Sequence, residues 1–244
     1  MNAAVLRSWS AWSPGREDRA AWQQWAHAPE PLGRDGRPEA RFLPAMLRRR
    51  CSPLSRIVLT AAFECCSETE RAEVRTVFAS RHGNINESID LVESIARKQP
   101  VSPTRFSHTV HNAQAGLFSI AAENRQTSSS IAALEDTFAC GYIEALTHLQ
   151  RDPERCVLLI VADVPLAPTF AALVDEPAAS YGVGLLLGTD GPGAAIAFDA
   201  ARTDTVAGRP AWPDAVEFLR WYLCGETDLC LGSGPRRWRW QRAG

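Results

Sequence analysis

The sequence predicts an α/β fold, a layered domain built on a largely parallel sheet. Apolar runs of strand length alternate with segments in which apolar residues recur at helical spacing. Residues 156–162 are apolar without interruption, which is typical of a strand covered by helices on both faces. With 244 residues, the chain is long enough to bury a substantial core. We expect one domain over residues 1–244.

The first half of the chain is predicted from apolar periodicity and from helix-starting residues. Ser52 is placed to cap a helix with Pro53 at its first position. Asn84 or Asn86 is placed to cap a second helix, whose Ile85, Ile89, Val92 and Ile95 share one face. The predicted elements are a strand at 5–9 within an irregular region at 1–40, a helix at 19–27, a helix at 53–67, a strand at 74–80, a helix at 84–98 and a loop at 100–106.

The second half continues the alternation. A helix of small residues is predicted at 107–122, and a strand at 126–134 runs directly into a helix at 135–146. The remaining predictions are strands at 156–162, 178–188 and 193–199, a turn at 188–193, a helix at 213–223 and a basic, Trp-rich tail at 235–244.

Composition excludes several classes of function. A formal net charge of −2 predicts no nucleic-acid footprint for the chain as a whole. No apolar run approaches the roughly 20 residues that span a bilayer, and the N-terminus lacks the apolar core of a secretory signal. Seven cysteines without a spaced framework predict reduced thiols. We therefore expect a cytoplasmic protein without a membrane span, a nucleic-acid partner, a bound metal or a cofactor.

The corner between the strand at 126–134 and the following helix carries acidic residues. The positive end of a helix dipole favours negative charge, so Glu135 and Asp136 suit the first turn of any helix. The same field favours a reactive thiolate or carboxylate. The residues of the corner alone leave both interpretations open.

Several ordered motifs resemble the N-terminal half of a β-ketoacyl synthase. Residues 49–62 are similar to the Arg-Arg-Met-Asp-x-x-x-Arg-x-Ala-x-x-Ala-Ala helix of those synthases, with departures at Cys51, Ser52 and Val58. Residues 103–116 are similar to their Pro-x8-Asn-x-x-Ala-Gly segment, which places Asn112 at its asparagine. The motifs at 9–15, 130–141 and 161–166 are similar to short chain-length-factor-like subunits that accompany aryl polyene synthases. The resemblance implies a thiolase-like α/β/α half-fold.

The resemblance also implies that the site of the nucleophile is vacant. Residues 130–135 fall on the Ser-Ile-x-Thr-Ala-Cys of the synthases and place Glu135 at the cysteine. A gap of two residues places Ala133 there instead. The synthases also use two histidines from a C-terminal half that this chain lacks, and none of its five histidines follows residues 156–162. We therefore expect no catalysis by the chain alone.

Other possible sites are weaker predictions. His108 and His111 have helical spacing but no evident third metal ligand, so packing or hydrogen bonding is favoured over a metal site. Cys140 lies more than a turn beyond the corner and is expected to be a buried cysteine. No Gly-x-Ser-x-Gly elbow surrounds the serines at 128–130, which the resemblance places in the strand at the dimer axis.

Two basic clusters are predicted contacts for a carrier protein or another partner. Acidic partners are steered by such clusters, and Trp and Arg are enriched at interface hot spots. A solvated face for the first cluster and packing for the second remain the alternatives. The clusters are Arg48, Arg49 and Arg50, and the tail with Arg236, Arg237, Trp238, Arg239, Trp240 and Arg242.

The resemblance implies a non-catalytic subunit that pairs with a full-length ketosynthase and shapes its acyl tunnel, meeting an acyl carrier protein transiently. The alternatives are a decarboxylating priming subunit, using Glu135 with histidines from the partner, and a carrier-protein docking module. The predicted tunnel or interface residues are Phe106, Asn112, Phe118, Ser128, Ser130 and Phe138.

Overall fold

The computed structural model describes residues 3–171, 174, 177–202, 211–232 and 236–242. The described strands form one sheet in the order β3-β2-β4-β5-β1-β6-β8-β7. The strands are β1 (Ala3–Trp12), β2 (Arg75–Ala79), β3 (Ser128–Ile131), β4 (Val157–Asp163), β5 (Tyr181–Gly188), β6 (Ala194–Arg202), β7 (Asp228–Leu231) and β8 (Arg236–Arg242). The helices are α1 (Arg19–His27), α2 (Ala45–Arg50), α3 (Pro53–Cys65), α4 (Glu68–Glu73), α5 (Ile85–Ala96), α6 (Pro103–Ser107), α7 (Ala113–Ala121), α8 (Thr137–Arg151), α9 (Pro168–Ala171) and α10 (Asp214–Cys224).

The sheet is mixed, whereas the alternation of elements predicted a largely parallel one. Strand β2 pairs in parallel with β3 and β4. The other strand pairs are antiparallel: β4 with β5, β5 with β1, β1 with β6, β6 with β8 and β8 with β7. The parallel strands are those joined by helical connections, as chain geometry requires.

Helices cover both faces of the sheet, which confirms the α/β/α layers. Helices α1, α8 and α10 bury Trp22, Tyr142 and Trp221 in one core. Helices α3 and α7 bury Ile57 and Phe118 in the other. Neighbouring leucines of β4 point into opposite cores, so an uninterrupted apolar strand satisfies both layers.

Helix α3 begins as predicted. Ser52 Oγ accepts a hydrogen bond from Ser55 N at 3.1 Å, and Pro53 occupies the first helical position. The helix lies directly against β5. A Cβ added at Gly182 would lie 2.6 Å from a methyl carbon of Ile57, so glycine is needed for this close approach.

The loop predicted at 100–106 and the helix predicted at 107–122 are each only partly correct. A short helix, α6, occupies 103–107, a turn follows, and α7 begins only at Ala113. Ser102 Oγ accepts from Arg105 N at 3.4 Å and caps α6, with Pro103 at its first position. Arg105 then holds α6 against α5 through Glu87 (3.1 Å) and Asp90 (2.7 Å).

Both ends of the chain are more regular than predicted. Strand β1 is ten residues long and lies between β5 and β6, within the region expected to be irregular. The predicted tail is strand β8, although Pro235 and residues 243–244 lie outside the described residues. No helix in the described ranges combines the length and apolarity needed to cross a bilayer.

Candidate functional site

The candidate site lies where the parallel strands β2, β3 and β4 end, because the carboxyl ends of parallel strands meet at one edge of a sheet. After β3, the chain passes through Ala132 and Ala133, makes a 3₁₀ turn over Leu134–Asp136 and enters α8. This is the predicted strand-to-helix corner. It contains two alanines, a leucine and two acidic residues, and no cysteine.

The backbone of the corner is strained at Leu134. Its φ is +52°, a left-handed conformation that costs a residue with a Cβ roughly 1–2 kcal/mol. Thr137 holds this geometry: its Oγ1 accepts from Ala133 N at 3.0 Å and donates to Leu134 O at 2.7 Å. The two predicted nucleophile positions, Ala133 and Glu135, lie on either side of the strained residue. Which of them corresponds to the cysteine stays a prediction.

Glu135 forms an ion pair at the corner. Its Oε1 lies 3.4 Å from Arg81 Nη2, and the two side chains are 44% and 11% exposed, respectively. A pair that is open to solvent on one side contributes at most about 1 kcal/mol. The carboxylate is therefore accessible, with a guanidinium beside it.

Asp163, which the sequence analysis did not single out as a site residue, holds Arg81 in place. Its Oδ1 accepts from Ser80 Oγ (2.7 Å) and His82 N (3.1 Å), and its Oδ2 accepts from Arg81 N (2.9 Å). Burial raises the pKa of the Asp163 carboxyl, and these hydrogen bonds oppose the rise. The sequence offered one signal for this site residue, which is a carboxylate at the end of an otherwise apolar strand.

The C-terminal strand closes over the other side of the corner. Trp238 Nε1 donates to Asp136 Oδ1 at 2.7 Å, and Arg236 Nη1 lies 3.4 Å from Asp136 Oδ2. Behind this contact, the rings of Phe138 and Trp240 stack with centroids 5.2 Å apart. The start of α8 and strand β8 therefore form one packed unit.

This packing corrects the prediction that Arg237, Trp238 and Trp240 contact a partner. Their side chains are only 5%, 5% and 0% exposed, because β8 lies inside the sheet and its tryptophans pack in the core. Arg237 donates to the carbonyl of Gly232 at 2.8 Å. Packing, the alternative weighed for this cluster, is what the structure shows for these three residues, whereas Arg236 and Arg239 of the same strand are exposed.

Burial also corrects two of the predicted tunnel residues. Phe118 packs between Phe63 and Phe78 beneath α7, and it is 1% exposed. Phe138 is 3% exposed and packs among the aromatic rings of the opposite core. Both phenylalanines fill cores of this chain and do not face an open channel.

The other predicted residues lie at the surface. Phe106 is 61% exposed on α6, and Asn112 is exposed before α7. On β3, Ser128 is exposed and Ser130 is half-buried. These four remain predictions for an interface or tunnel. The basic cluster on α2 also lies at the surface, where Arg49 and Arg50 are exposed and Arg48 is half-buried.

A serine, a glutamate and a histidine tie β3 to α8, a cluster that sequence reasoning missed. Ser129 Oγ donates to Glu144 Oε1 at 2.7 Å and lies 3.2 Å from His148 Nε2. His148 Nε2 is also 3.3 Å from Glu144 Oε1, and burial lowers the pKa of this imidazole. A nucleophilic triad places serine and acid on opposite ring nitrogens, but here both meet the same one. The cluster therefore anchors the strand.

The two histidines of the predicted weak metal pair have separate surroundings. His108 is buried, and its carbonyl accepts from Asn84 Nδ2 at 2.8 Å. His111 is exposed, with Nε2 3.2 Å from Ser80 O. Within the described ranges, no group of three or more His, Cys, Asp or Glu side chains is arranged to hold a metal ion.

Apolar side chains are exposed between β2 and β3, at the corner and on α8. Strand β3 ends the described sheet, so its outer edge has no neighbouring described strand. A strand edge and a large apolar surface are both features that partners cover. The exposed apolar side chains here are Val92 (65%), Ile95 (59%), Val101 (38%), Phe106 (61%), Val110 (48%), Ile120 (66%), Leu134 (69%) and Ile143 (37%).

Solved structures share this fold. A chain of the complex of the ketosynthase ApeO with its chain length factor ApeC, from Xenorhabdus doucetiae, is 25% identical with a TM-score of 0.81. The match covers 98% of this chain and 99% of that one. A chain of the ishigamide ketosynthase/chain length factor is 18% identical with a TM-score of 0.64, covering 82% of this chain and 67% of that one. The second likeness supports the fold alone.

A comparison with curated proteins finds no match. The family model described as "Beta-ketoacyl synthase, N-terminal domain" matches residues 22–241. That span runs from within α1 to within β8 and includes the corner at Glu135. The chain therefore belongs to the β-ketoacyl synthase N-terminal domain family.

Proposed function

We propose that this chain is a non-catalytic, chain-length-factor-like subunit that pairs with a full-length ketosynthase and shapes its acyl tunnel. One observation carries the proposal: the strand-to-helix corner has the family's fold but no cysteine between Ala132 and Asp136. The likeness to a chain of a ketosynthase–chain length factor complex, which extends over nearly the whole of both chains, supports the same function.

The surroundings of Cys140 support a non-catalytic role. This thiol lies in the first turns of α8 and is half-buried. Burial raises its pKa, and the neighbouring Asp136 raises it further. The thiolate is the nucleophilic form of cysteine, so these surroundings disfavour reaction at Cys140.

The outer edge of β3 and the exposed apolar side chains beside it are the proposed ketosynthase contact. An obligate interface of this kind buries on the order of 2,000 Å² or more. Phe106, Asn112, Ser128 and Ser130 are the residues that we assign to this interface or to the tunnel. We expect the chain to aggregate without its partner except at low concentration, because the apolar surface is then open to solvent.

The exposed part of the α2 cluster suits transient contact with an acidic carrier protein. Arg49 and Arg50 are exposed on α2, beside Met46, which is 81% exposed. Cationic and apolar groups together match a carrier surface that is acidic and partly apolar. The free cysteines agree with a cytoplasmic location, which is part of the proposal.

Co-expression with the full-length ketosynthases encoded beside this chain tests the proposal. We expect a stoichiometric heterodimer by native mass spectrometry. Within that complex, Phe106→Ala and Phe106→Trp should change product length in opposite directions, with Phe42→Ala, a phenylalanine 44% exposed, as the matched control. A stable monomer that binds none of these ketosynthases contradicts the proposal.

The second candidate is the decarboxylating priming subunit, which the exposed carboxylate of Glu135 favours. The same complex, given malonyl carrier protein, distinguishes the two functions. Release of carbon dioxide without condensation, lost in Glu135→Gln, would support the priming enzyme. Condensed products of altered length support the tunnel-shaping subunit.

A further inference from the structure

The strain at Leu134 differs from the other left-handed positions of the described chain. Non-glycine residues with positive φ are Ala40, Lys98, Glu123 and Leu134. Lys98 and Glu123 directly follow the capping residues of α5 and α7, where helices commonly end in a left-handed residue. Ala40 accepts a turn hydrogen bond from Leu43 N at 3.1 Å. Leu134 instead precedes α8, so its left-handed conformation does not serve to end a helix.

The structure holds this strained leucine firmly and directs its side chain outward. Thr137 bonds to Ala133 N and Leu134 O, and Asp136 is tied to Trp238. Yet 69% of Leu134 is exposed, so packing within the chain does not account for the leucine. Asparagine adopts left-handed conformations more easily and suits a solvated corner. Strain that is firmly held in this way marks functional sites.

We infer that Leu134 is a contact residue whose side chain enters an apolar recess of the ketosynthase. The inference rests on the proposed function and adds a defined contact to it. The corner directly follows β3, whose outer edge is the proposed interface, so Leu134 is exposed three residues beyond the end of that strand. A rigid apolar side chain loses little conformational freedom on binding, which favours affinity.

Leu134→Asn, Leu134→Ala and Leu134→Met test the inference in the co-expressed complex. Full burial of a leucine corresponds to about a tenfold to hundredfold change in affinity. We expect losses in that range for Leu134→Asn and Leu134→Ala, while Leu134→Met retains wild-type affinity. The isolated Leu134→Asn chain should also melt about 2–4 °C higher, because its strain is relieved. Phe42→Asn, at an apolar position 44% exposed and outside the proposed contact surfaces, is the matched control.

The possible results distinguish failure of the Leu134 contact from failure of the proposed function. Wild-type affinity in Leu134→Asn, with a normal wild-type complex, overturns the inference and leaves the proposed function standing. Absence of any complex with the wild-type chain overturns both. A lower melting temperature of Leu134→Asn contradicts the strain argument, since the leucine would then stabilise the isolated chain.

Discussion

At the scale of single residues, the corner depends on Thr137. One hydroxyl satisfies an amide and a carbonyl in the only segment that separates β3 from α8. The threonine is 5% exposed, so water does not easily replace either bond. The left-handed backbone of Leu134 is therefore stabilised by a side chain three positions further along.

Thr137→Val keeps the shape of the side chain and removes both hydrogen bonds. Because a partly buried amide and carbonyl lose their partner, we expect a loss of about 1 kcal/mol or more in the free energy of unfolding. Urea denaturation measures it. Thr147→Val is the control, since the Thr147 hydroxyl bonds only the Ile143 carbonyl of its own helix. Equal effects at the two positions would argue against a special role for Thr137.

Asp163 predicts a pH dependence. Because its pKa is raised in the folded chain, the folded state binds the proton more tightly than the unfolded state. Its contribution to stability is full below the ordinary carboxyl pKa of about 4 and is lost as pH rises through the folded pKa. The stability of the wild type relative to Asp163→Asn should therefore fall as pH rises, measured by urea titration. If the stability of the wild type relative to Asp163→Asn instead increases with rising pH, this prediction is wrong.

At the scale of elements, the predictions were correct where the structure depends on residues that are close together in the sequence. Ser52 and Pro53 fixed the start of α3, and the apolar run gave β4. The tail was misjudged although Trp238 and Trp240 alternate as in a strand with one buried face. Their neighbours, β6 and β7, are separate segments of the chain, so local sequence did not reveal the burial. The capping residues of α6 were present at Ser102 and Pro103 and were not recognised.

Strand β8 is held against the start of α8 by the hydrogen bond from Trp238 to Asp136. Trp238→Phe retains most of the buried ring but removes the indole N–H, leaving Asp136 Oδ1 without that donor. We expect a loss of about 1–3 kcal/mol in the free energy of unfolding, since the lost bond involves a charged acceptor. Chemical denaturation measures it, with Trp9→Phe as the control. Trp9 is also buried, at 7% exposed, and lies on β1. If Trp238→Phe lowers the free energy of unfolding no more than the control does, packing alone holds β8 against α8.

At the scale of the whole molecule, the proposed surfaces differ in chemistry. The helices that contact β3, α7 and α8, expose Ile120 and Ile143, whereas α2 presents arginines to solvent. Apolar burial suits a permanent partner, and charge suits a partner that arrives and leaves. The fold could be predicted because motifs recur in order along the chain. The surfaces could not, because exposure depends on how distant segments pack.

Reversing charge on α2 tests the carrier contact. The double variant Arg49→Glu and Arg50→Glu should weaken carrier-protein binding to the heterodimer several-fold at low salt, with the difference shrinking as salt screens the charges. Isothermal titration calorimetry at two salt concentrations measures it. The double variant Arg97→Glu and Arg155→Glu, at exposed positions outside α2, makes the same change in net charge and is the control. A salt-independent loss would point to altered folding.

Under the proposed function, the two ends of the sheet limit how the chain assembles. Strands β3 and β7 are both four residues long, but β7 carries Asp228, which is engaged by Arg239 and Gln241 of β8. Charged side chains on an edge strand resist addition of another strand. Among the described strands, β3 is thus the end better suited to pairing. If a ketosynthase binds there as proposed, the sheet would stop growing at one copy of each subunit and would not extend into filaments.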